Sequence, residues 1–262
     1  TLKHWLGRYR RKNRGEIVGR VFLFADEFTN YMDVEIGIKM IELLDRLGYE
    51  VVIPKHVESG RTAISKGMLK VARKVARKNV MLLKNIVSEN VPLVGIEPSC
   101  ILSFRDEYPD LVGEELKEEA VRLGKNCLLY DEFFVREIRV GRIRAEQFTD
   151  QPLNILLHGH CHQKSLASVE PSREMLSLPV NYKVEVIPSG CCGMAGAFGY
   201  EKKHYELSMK IGEQVLFPAV RGVGDDVCIS APGTSCRQQI KDGTGKQALH
   251  PIEVLYGALL TR

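Results

Sequence analysis

Seven cysteines are spread unevenly along the 262 residues. Cys161, Cys191, Cys192, Cys228 and Cys236 fall in the last 102 positions, and Cys100 and Cys127 stand alone before them. No apolar leader follows the first residues, so a secretory signal is not expected, and thiols in such a chain read as metal ligands or redox groups before they read as disulfides. Cys161, the Cys191-Cys192 pair and Cys236 each follow a short apolar run: NILLHG (154–159), KVEVIP (183–188) and VCISA (227–231). If those runs are strands of one parallel sheet, the loops after them converge at one edge and bring four distant thiols to one point. Four thiolates suit a soft cation, as an iron–sulfur cluster or as tetrahedral zinc. Gly159, Gly190, Gly193, Gly196 and Gly233 surround the four and let backbone N–H groups approach sulfur. A vicinal Cys-Cys pair has other readings: two small buried hydrophobes, a strained vicinal disulfide, or a thiol–disulfide centre. Cys127 and Cys228 lie on predicted regular elements and are expected in the core.

Three histidines flank Cys161. Alternation gives His160 and His162 a common direction, while His158 ends the strand. They fit hydrogen-bond donors or proton carriers beside the thiols. Direct ligation by histidine is disfavoured because the thiols already number four.

The elements that must position these residues alternate. VFLFAD (21–26), EVVIP (50–54) and PLVGIE (92–97) read as buried strands, with helical spacing over 33–47 and 63–90 between them. Residues 106–150 are charged and read as one or two helices with a hairpin near Gly141. The alternation then restarts at 154, with helices expected over 195–217 and 250–260. Strands alternating with helices argue for an α/β fold with parallel sheets. The two halves also match. VVIP (51–54) before Glu58-Ser59-Gly60 corresponds to VEVIP (184–188) before Cys191-Cys192-Gly193, and GIEPSC (95–100) to APGTSC (231–236). Thirty positions before each motif stand Phe28 and Cys161. The chain therefore reads as two tandem α/β repeats: a basic lead segment at 1–19, a degenerate repeat with a helical connector at 20–150, and an intact repeat at 151–262. Residues 1–20 read as a linker or solvated arm. In the degenerate repeat, Glu58, Arg61, Lys66 and Cys100 are expected at the equivalent sheet edge, as a polar, ion-paired site or as residues that close a dead one. Lys66, Lys70, Arg73, Lys74, Arg77 and Lys78 fall on one stripe of the 63–90 helix, a solvated face or a docking face for an acidic partner.

HGHCHQK (158–164), SGCCGMAGAFG (189–199) and GTSCRQQI (233–240) resemble the motifs of the cysteine-rich CCG domain. That domain occurs in the heterodisulfide reductase B subunit, in the C subunit of anaerobic glycerol-3-phosphate dehydrogenase and in iron–sulfur lactate-oxidising proteins. FTNY (28–31), ESGRTAISKG (58–67) and EPSC (97–100) extend the resemblance to the C-terminal part of fused FAD-linked oxidases acting on D-2-hydroxy acids such as D-lactate or D-2-hydroxyglutarate. The resemblance implies a [4Fe–4S] cluster on Cys161, Cys191, Cys192 and Cys236, an electron-transfer role, and a quinone, a membrane-associated carrier or a partner protein as acceptor. It places FAD in a flavin dehydrogenase domain or subunit, before Thr1 or on a partner chain. The family pattern ends in Cys-x-x-Cys, but Gly233 stands where its first Cys would be; the five-cysteine pattern of non-cubane clusters is incomplete. In the first repeat Phe28, Glu58 and Ser59 replace thiols, so a second cluster is not expected there. Other readings of the four thiols are a zinc-stabilised structural or interaction domain and a thiol–disulfide oxidoreductase.

Composition bounds the rest. Hydrophobic residues make up 44% and charged residues 27%, a globular profile, and the net charge of +4 is too mild to argue for nucleic acid. No uncharged stretch approaches the ~20 apolar residues needed to span a bilayer. A chain starting at Thr1 reads as a piece of a longer protein, with a cytoplasmic setting, free or peripheral at the membrane face. Dinucleotide-binding, Walker A and two-cluster ferredoxin motifs are absent from the sequence.

Overall fold

The computed structural model describes residues 1–13 and 15–260. The chain divides into two compact units, Thr1–Phe133 and Phe134–Arg262.

In unit 1, four short apolar runs become strands: β1 (Gly19–Phe24), β2 (Tyr49–Val52), β3 (Leu93–Gly95) and β4 (Cys127–Leu129). They form one sheet in the order β2-β1-β3-β4, and every pairing is parallel. Val21, Leu23, Phe24, Leu93 and Val94 are buried, as expected of strands covered on both faces. The helices are α1 (Leu2–Leu6), α2 (Glu27–Tyr31), α3 (Val34–Arg46), α4 (Arg61–Ser65), α5 (Leu69–Leu83), α6 (Pro98–Ile101), α7 (Glu107–Leu111), α8 (Glu114–Lys125) and α9 (Tyr130–Arg139), the last of which crosses the division.

Unit 2 repeats the plan. Strands β5 (Leu153–Leu157), β6 (Tyr182–Val186) and β7 (Val227–Ser230) pair in the order β6-β5-β7, again all parallel. In each unit the first strand is therefore central, flanked by the second and third. A parallel bridge from Ser230 to Leu249 stands where unit 1 has β4. The helices are α10 (Cys161–Leu166), α11 (Glu170–Leu176), α12 (Tyr205–Gln214), α13 (Leu216–Arg221), α14 (Thr234–Thr244) and α15 (Pro251–Ala258). A core of Leu156, Ile187, Met194, Phe217, Val220, Ile229 and Ile240 also takes in Cys192 and Cys236.

The sequence expectations differ from this structure in five places. The 63–90 helix is broken: Gly67, at φ +69°, ends α4, and α5 begins two residues later. Lys66 therefore caps α4 and leaves the basic stripe. Arg73 Nε donates to Leu111 O at 3.0 Å and Arg77 Nη1 to Val112 O at 2.5 Å, so part of that stripe is engaged within the unit. The expected helix over 195–217 starts only at Tyr205, because Ala195 and Gly196 take positive φ and two 3₁₀ turns follow. The hairpin near Gly141 is absent among the described residues; Gly141, at φ +74°, closes α9 instead, and β4 is an additional strand. Finally, the N-terminal segment is not a solvated arm. Leu2 is fully buried, and Asp45 accepts hydrogen bonds from Tyr9 Oη at 2.6 Å, Arg11 Nε at 3.1 Å and Lys12 N at 2.7 Å.

Candidate metal centre

The three strands of unit 2 end at one edge, and each hands a thiol to it. Cys161 is the first residue of α10, four positions beyond β5. Cys191 and Cys192 lie in the loop after β6. Cys236 is the third residue of α14, which follows β7. The thiols are in hydrogen-bonding contact in the order Cys161, Cys191, Cys192, Cys236. Hydrogen bonds from Cys161 and Cys192, with help from the Gly193 and Ala195 N–H groups, hold the Cys191 thiol well below its ordinary value. Cys192 likewise lowers Cys236, whose thiolate the nearby His158 and His160 also favour. The donors Cys161 and Cys192 are pushed up in turn by these shared protons and by burial. Four thiols in mutual contact are a donor set suited to a thiophilic metal.

The loop carrying Cys191 and Cys192 is pinned from several sides. Lys164 Nζ donates to Ser189 O and to Gly190 O, both at 2.6 Å. Gly193 N donates to Cys191 Sγ at 3.3 Å. Gly193 itself sits at φ +105°, with Ser208 Oγ donating to its carbonyl at 2.9 Å. Gln239 Nε2 on α14 donates to Ser208 Oγ at 3.0 Å, which couples the helix of Cys236 to the same loop.

The histidines divide. His160 caps α10, its Nδ1 accepting from His162 N at 3.2 Å, and the two rings lie 6.0 Å apart and nearly parallel, at 13°. They form one group with Cys161, their ligating atoms within 4.8 Å of one another. His158 forms a second such group with Cys192 and Cys236, and all three residues are buried. Sequence alone favours His160 and His162, which share a direction, over His158, which closes the strand.

The residues present fit a metal or an iron–sulfur cluster. Besides the converging thiols, His158 Nε2 is buried with no hydrogen-bond partner among the described residues, and a ring of backbone turns exposes N–H groups to sulfur. A fifth cysteine at position 233 would require the His160 ring to shift. A Cβ on Gly233 would stand 2.5 Å from His160 Cδ2 and 3.2 Å from Cys236 Sγ.

Unit 1 offers the same backbone with other chemistry. Counted from the first residue of the helix after the central strand, Glu27, not Phe28, is the equivalent of Cys161. Glu58-Ser59-Gly60 stands for Cys191-Cys192-Gly193, with both glycines at positive φ. Cys100, like Cys236, is the third residue of its helix. The Glu27 carboxylate accepts from Ser59 N at 2.8 Å and from Ser59 Oγ at 2.6 Å, and Ser59 also bonds Cys100. Tyr108 Oη donates to Ser59 O at 2.8 Å, and Asn79 Nδ2 donates to Glu58 O at 2.8 Å. Burial pushes the Cys100 thiol up, and Asp26, Glu27 and Glu97 add to the effect. Arg61 pairs with Glu107, whereas Lys66 is exposed at the end of α4. Glu58 instead lines a cavity of about 380 Å³ with Lys3, Glu27, Asn30 and His56. Cys127 is fully buried in β4, and Cys228 is only half-buried on β7.

Residues 155–241 match the family model of CCG, the cysteine-rich domain. Over nearly its whole length the chain is also similar to proteins of several names. It is 29% identical over 239 residues to D-2-hydroxyglutarate dehydrogenase of Escherichia coli strain K12, covering 90% of this chain and 22% of that protein. It is 28% identical over 261 residues to the C subunit of anaerobic glycerol-3-phosphate dehydrogenase from the same strain, covering 99% of this chain and 64% of that relative. It is 28% identical over 248 residues to lactate utilization protein A of Bacillus subtilis strain 168, covering 90% of this chain and 98% of that protein. The chain thus spans about a fifth of the first relative and under two thirds of the second.

Proposed function

We propose that the chain is the electron-transfer part of a flavin-linked oxidoreductase and that unit 2 holds one [4Fe–4S] cluster on Cys161, Cys191, Cys192 and Cys236. One observation carries the reading: four thiols from three separate loops touch in series at one sheet edge, wrapped in donor N–H groups. The names of the relatives give the context, the oxidation of a 2-hydroxy acid or of glycerol 3-phosphate. When bound, the cluster accepts and releases single electrons without bond-making to a substrate. The chain's own residues do the rest. Cys161, Cys191, Cys192 and Cys236 supply the ligand sulfurs and give up their thiol protons on binding. Lys164 and the Ser208–Gln239 pair hold the Cys191-Cys192 loop so that binding does not have to order it. Gly193 N–H donates to sulfur, and Cys192 and Cys236 lie buried among Ile187, Met194 and Ile240, which keep water from that side of the site.

On this reading electrons come from a flavin dehydrogenase domain or subunit and leave for a quinone or another carrier, on the cytoplasmic side of a membrane or free of it. No helix among the described residues is long and apolar enough to cross a bilayer. The second reading is structural zinc, which the same four thiols would hold without redox chemistry. The deciding experiment is iron, sulfide and zinc content of anaerobically prepared chain, with EPR before and after dithionite. About four irons and four sulfides per chain, lost in Cys192→Ser, are expected. One zinc with no sulfide would replace the electron-transfer reading with the structural one.

A further inference from the structure

His158 is held from both sides. Its backbone N–H donates to Ser230 O at 2.8 Å, joining the end of β5 to β7. Its ring is fully buried, with Nδ1 at 2.8 Å from Ser189 Oγ. Nε2 is buried and has no hydrogen-bond partner among the described residues. Native interiors rarely leave such a group unmatched, and the side chain it stands beside is Cys236, whose thiolate it favours. A ring nitrogen of His158 lies within 4.8 Å of the Cys192 and Cys236 sulfurs. Since Ser189 takes Nδ1, Nε2 is the atom left for the sulfur side.

We propose that His158 Nε2–H is a fixed hydrogen-bond donor to the sulfur shell at Cys192 and Cys236, and that it raises the reduction potential of the centre. The inference rests on the iron–sulfur reading above. In this arrangement Ser189 Oγ–H donates to Nδ1, which leaves the ring proton on Nε2, facing sulfur. A donor aimed at cluster sulfur stabilises the reduced state, which carries one more negative charge, more than the oxidised state. His158 acts here through the cysteine sulfurs, as a positioning residue. His160 and His162 differ from it: His160 Nδ1 is spent on capping α10, and the ligating nitrogens of both group with Cys161.

The test uses the anaerobically loaded chain and three readouts: iron and sulfide content, an EPR-monitored redox titration, and pulsed EPR on protein labelled with ¹⁵N-histidine. Weak ¹⁵N couplings are expected in the unmodified chain, and the one that disappears in His158→Leu belongs to His158, those of His160 and His162 remaining. In His158→Leu the iron and sulfide content stays as it was and the midpoint potential moves to more negative values. In Ser189→Ala the potential moves the same way by less, because the ring is kept but its tautomer is released. A loaded His158→Leu with an unmoved potential overturns the inference and leaves the cluster reading standing. A strong ¹⁵N coupling of the kind a bound nitrogen gives overturns it in favour of ligation. If His158→Leu does not load, the ¹⁵N coupling and Ser189→Ala decide. Zinc without sulfide in the unmodified chain overturns the cluster reading itself, a result no potential measurement can mimic.

Discussion

Two glycines three positions apart in the cysteine loop give a sharp test of how that loop is held. Gly193 has φ +105°, and a Cβ built on it would lie 2.1 Å from Ser208 O and 3.0 Å from Gln239 Nε2. A backbone carbonyl in α12 cannot swing aside alone; moving it disturbs the bond from Gln239 Nε2 to Ser208 O, at 3.2 Å, and so reaches the helix of Cys236. An L-residue at such a φ costs roughly 1–3 kcal/mol. Relieving the clash with backbone costs about another 1–3 kcal/mol. Gly193→Ala should therefore lose roughly 2–6 kcal/mol, a fall in Tm on the order of 10 °C for a chain of this size. Gly190, in contrast, has open space around its Cβ position and is not in the positive-φ set. Gly190→Ala should stay within ~0.5 kcal/mol of the parent. The assay is thermal unfolding followed by circular dichroism, with metal content measured on the same samples. If Gly193→Ala melts with Gly190→Ala and keeps its metal, the close approach of loop and α12 does not set the site.

Two further outcomes concern unit 1. Glu27→Ala removes the acceptor of both Ser59 N–H and Ser59 Oγ–H and leaves a buried donor unmatched, at a cost of about 1–3 kcal/mol. Urea unfolding should show that loss while the iron and sulfide content stays unchanged; an unaltered midpoint would mean the carboxylate does not brace the site. Asp26 is fully buried, and burial raises its pKa from 3.8 to about 8, with Glu97 and Glu27 adding to the rise and hydrogen bonds from Thr29 opposing it. The folded state then binds more protons than the unfolded chain between about pH 4 and 8, so this group's contribution to stability falls as pH rises through that window. Asp26→Asn should flatten that part of a stability-against-pH curve, and an identical slope in both proteins would show that Asp26 is ionised in the fold.

The strands were legible because each is a short apolar run closed by Gly, Pro or a polar turn, and the repeat was legible because VVIP and VEVIP precede matching motifs. The gathering of the four thiols followed from those two facts and from the geometry of parallel strands. What escaped had local causes. The break at Gly67 is set by one backbone angle inside a pattern that is helical on either side. β4 is three residues long, too short for any period to show. Leu2 is buried only because Gly37 leaves room, its Cβ position lying 2.5 Å from Leu2 Cδ2. Counting back from the later motif placed Phe28 opposite Cys161, whereas the helix starts place Glu27 there; the two units differ by one residue in the loop length that a string comparison cannot see. The sequence does not set His158 apart from its neighbours, because its role depends on which ring nitrogen is taken, and only the position of Ser189 reveals that.

The two units together show what such a sheet edge becomes without its thiols. The scaffold is unchanged: a central strand delivers the first residue of a helix, a glycine at positive φ follows a pair of side chains, and a cysteine sits third in a later helix. Removing sulfur from such an edge leaves buried backbone donors and a void, and both are costly. In unit 1 the Glu27 carboxylate takes the place of a thiolate acceptor, Ser59 supplies the donors that answer it, and Tyr108 and Asn79 close the loop's carbonyls. Polar atoms that could have turned to a metal are turned to neighbours instead. Among the described residues no trio of potential ligand atoms in unit 1 comes within 4.8 Å, while unit 2 has two such groups. Restoring one cysteine at Ser59 would therefore not restore a site, because Glu27 would still lie against it; the loss is held in place by the network that stabilises it.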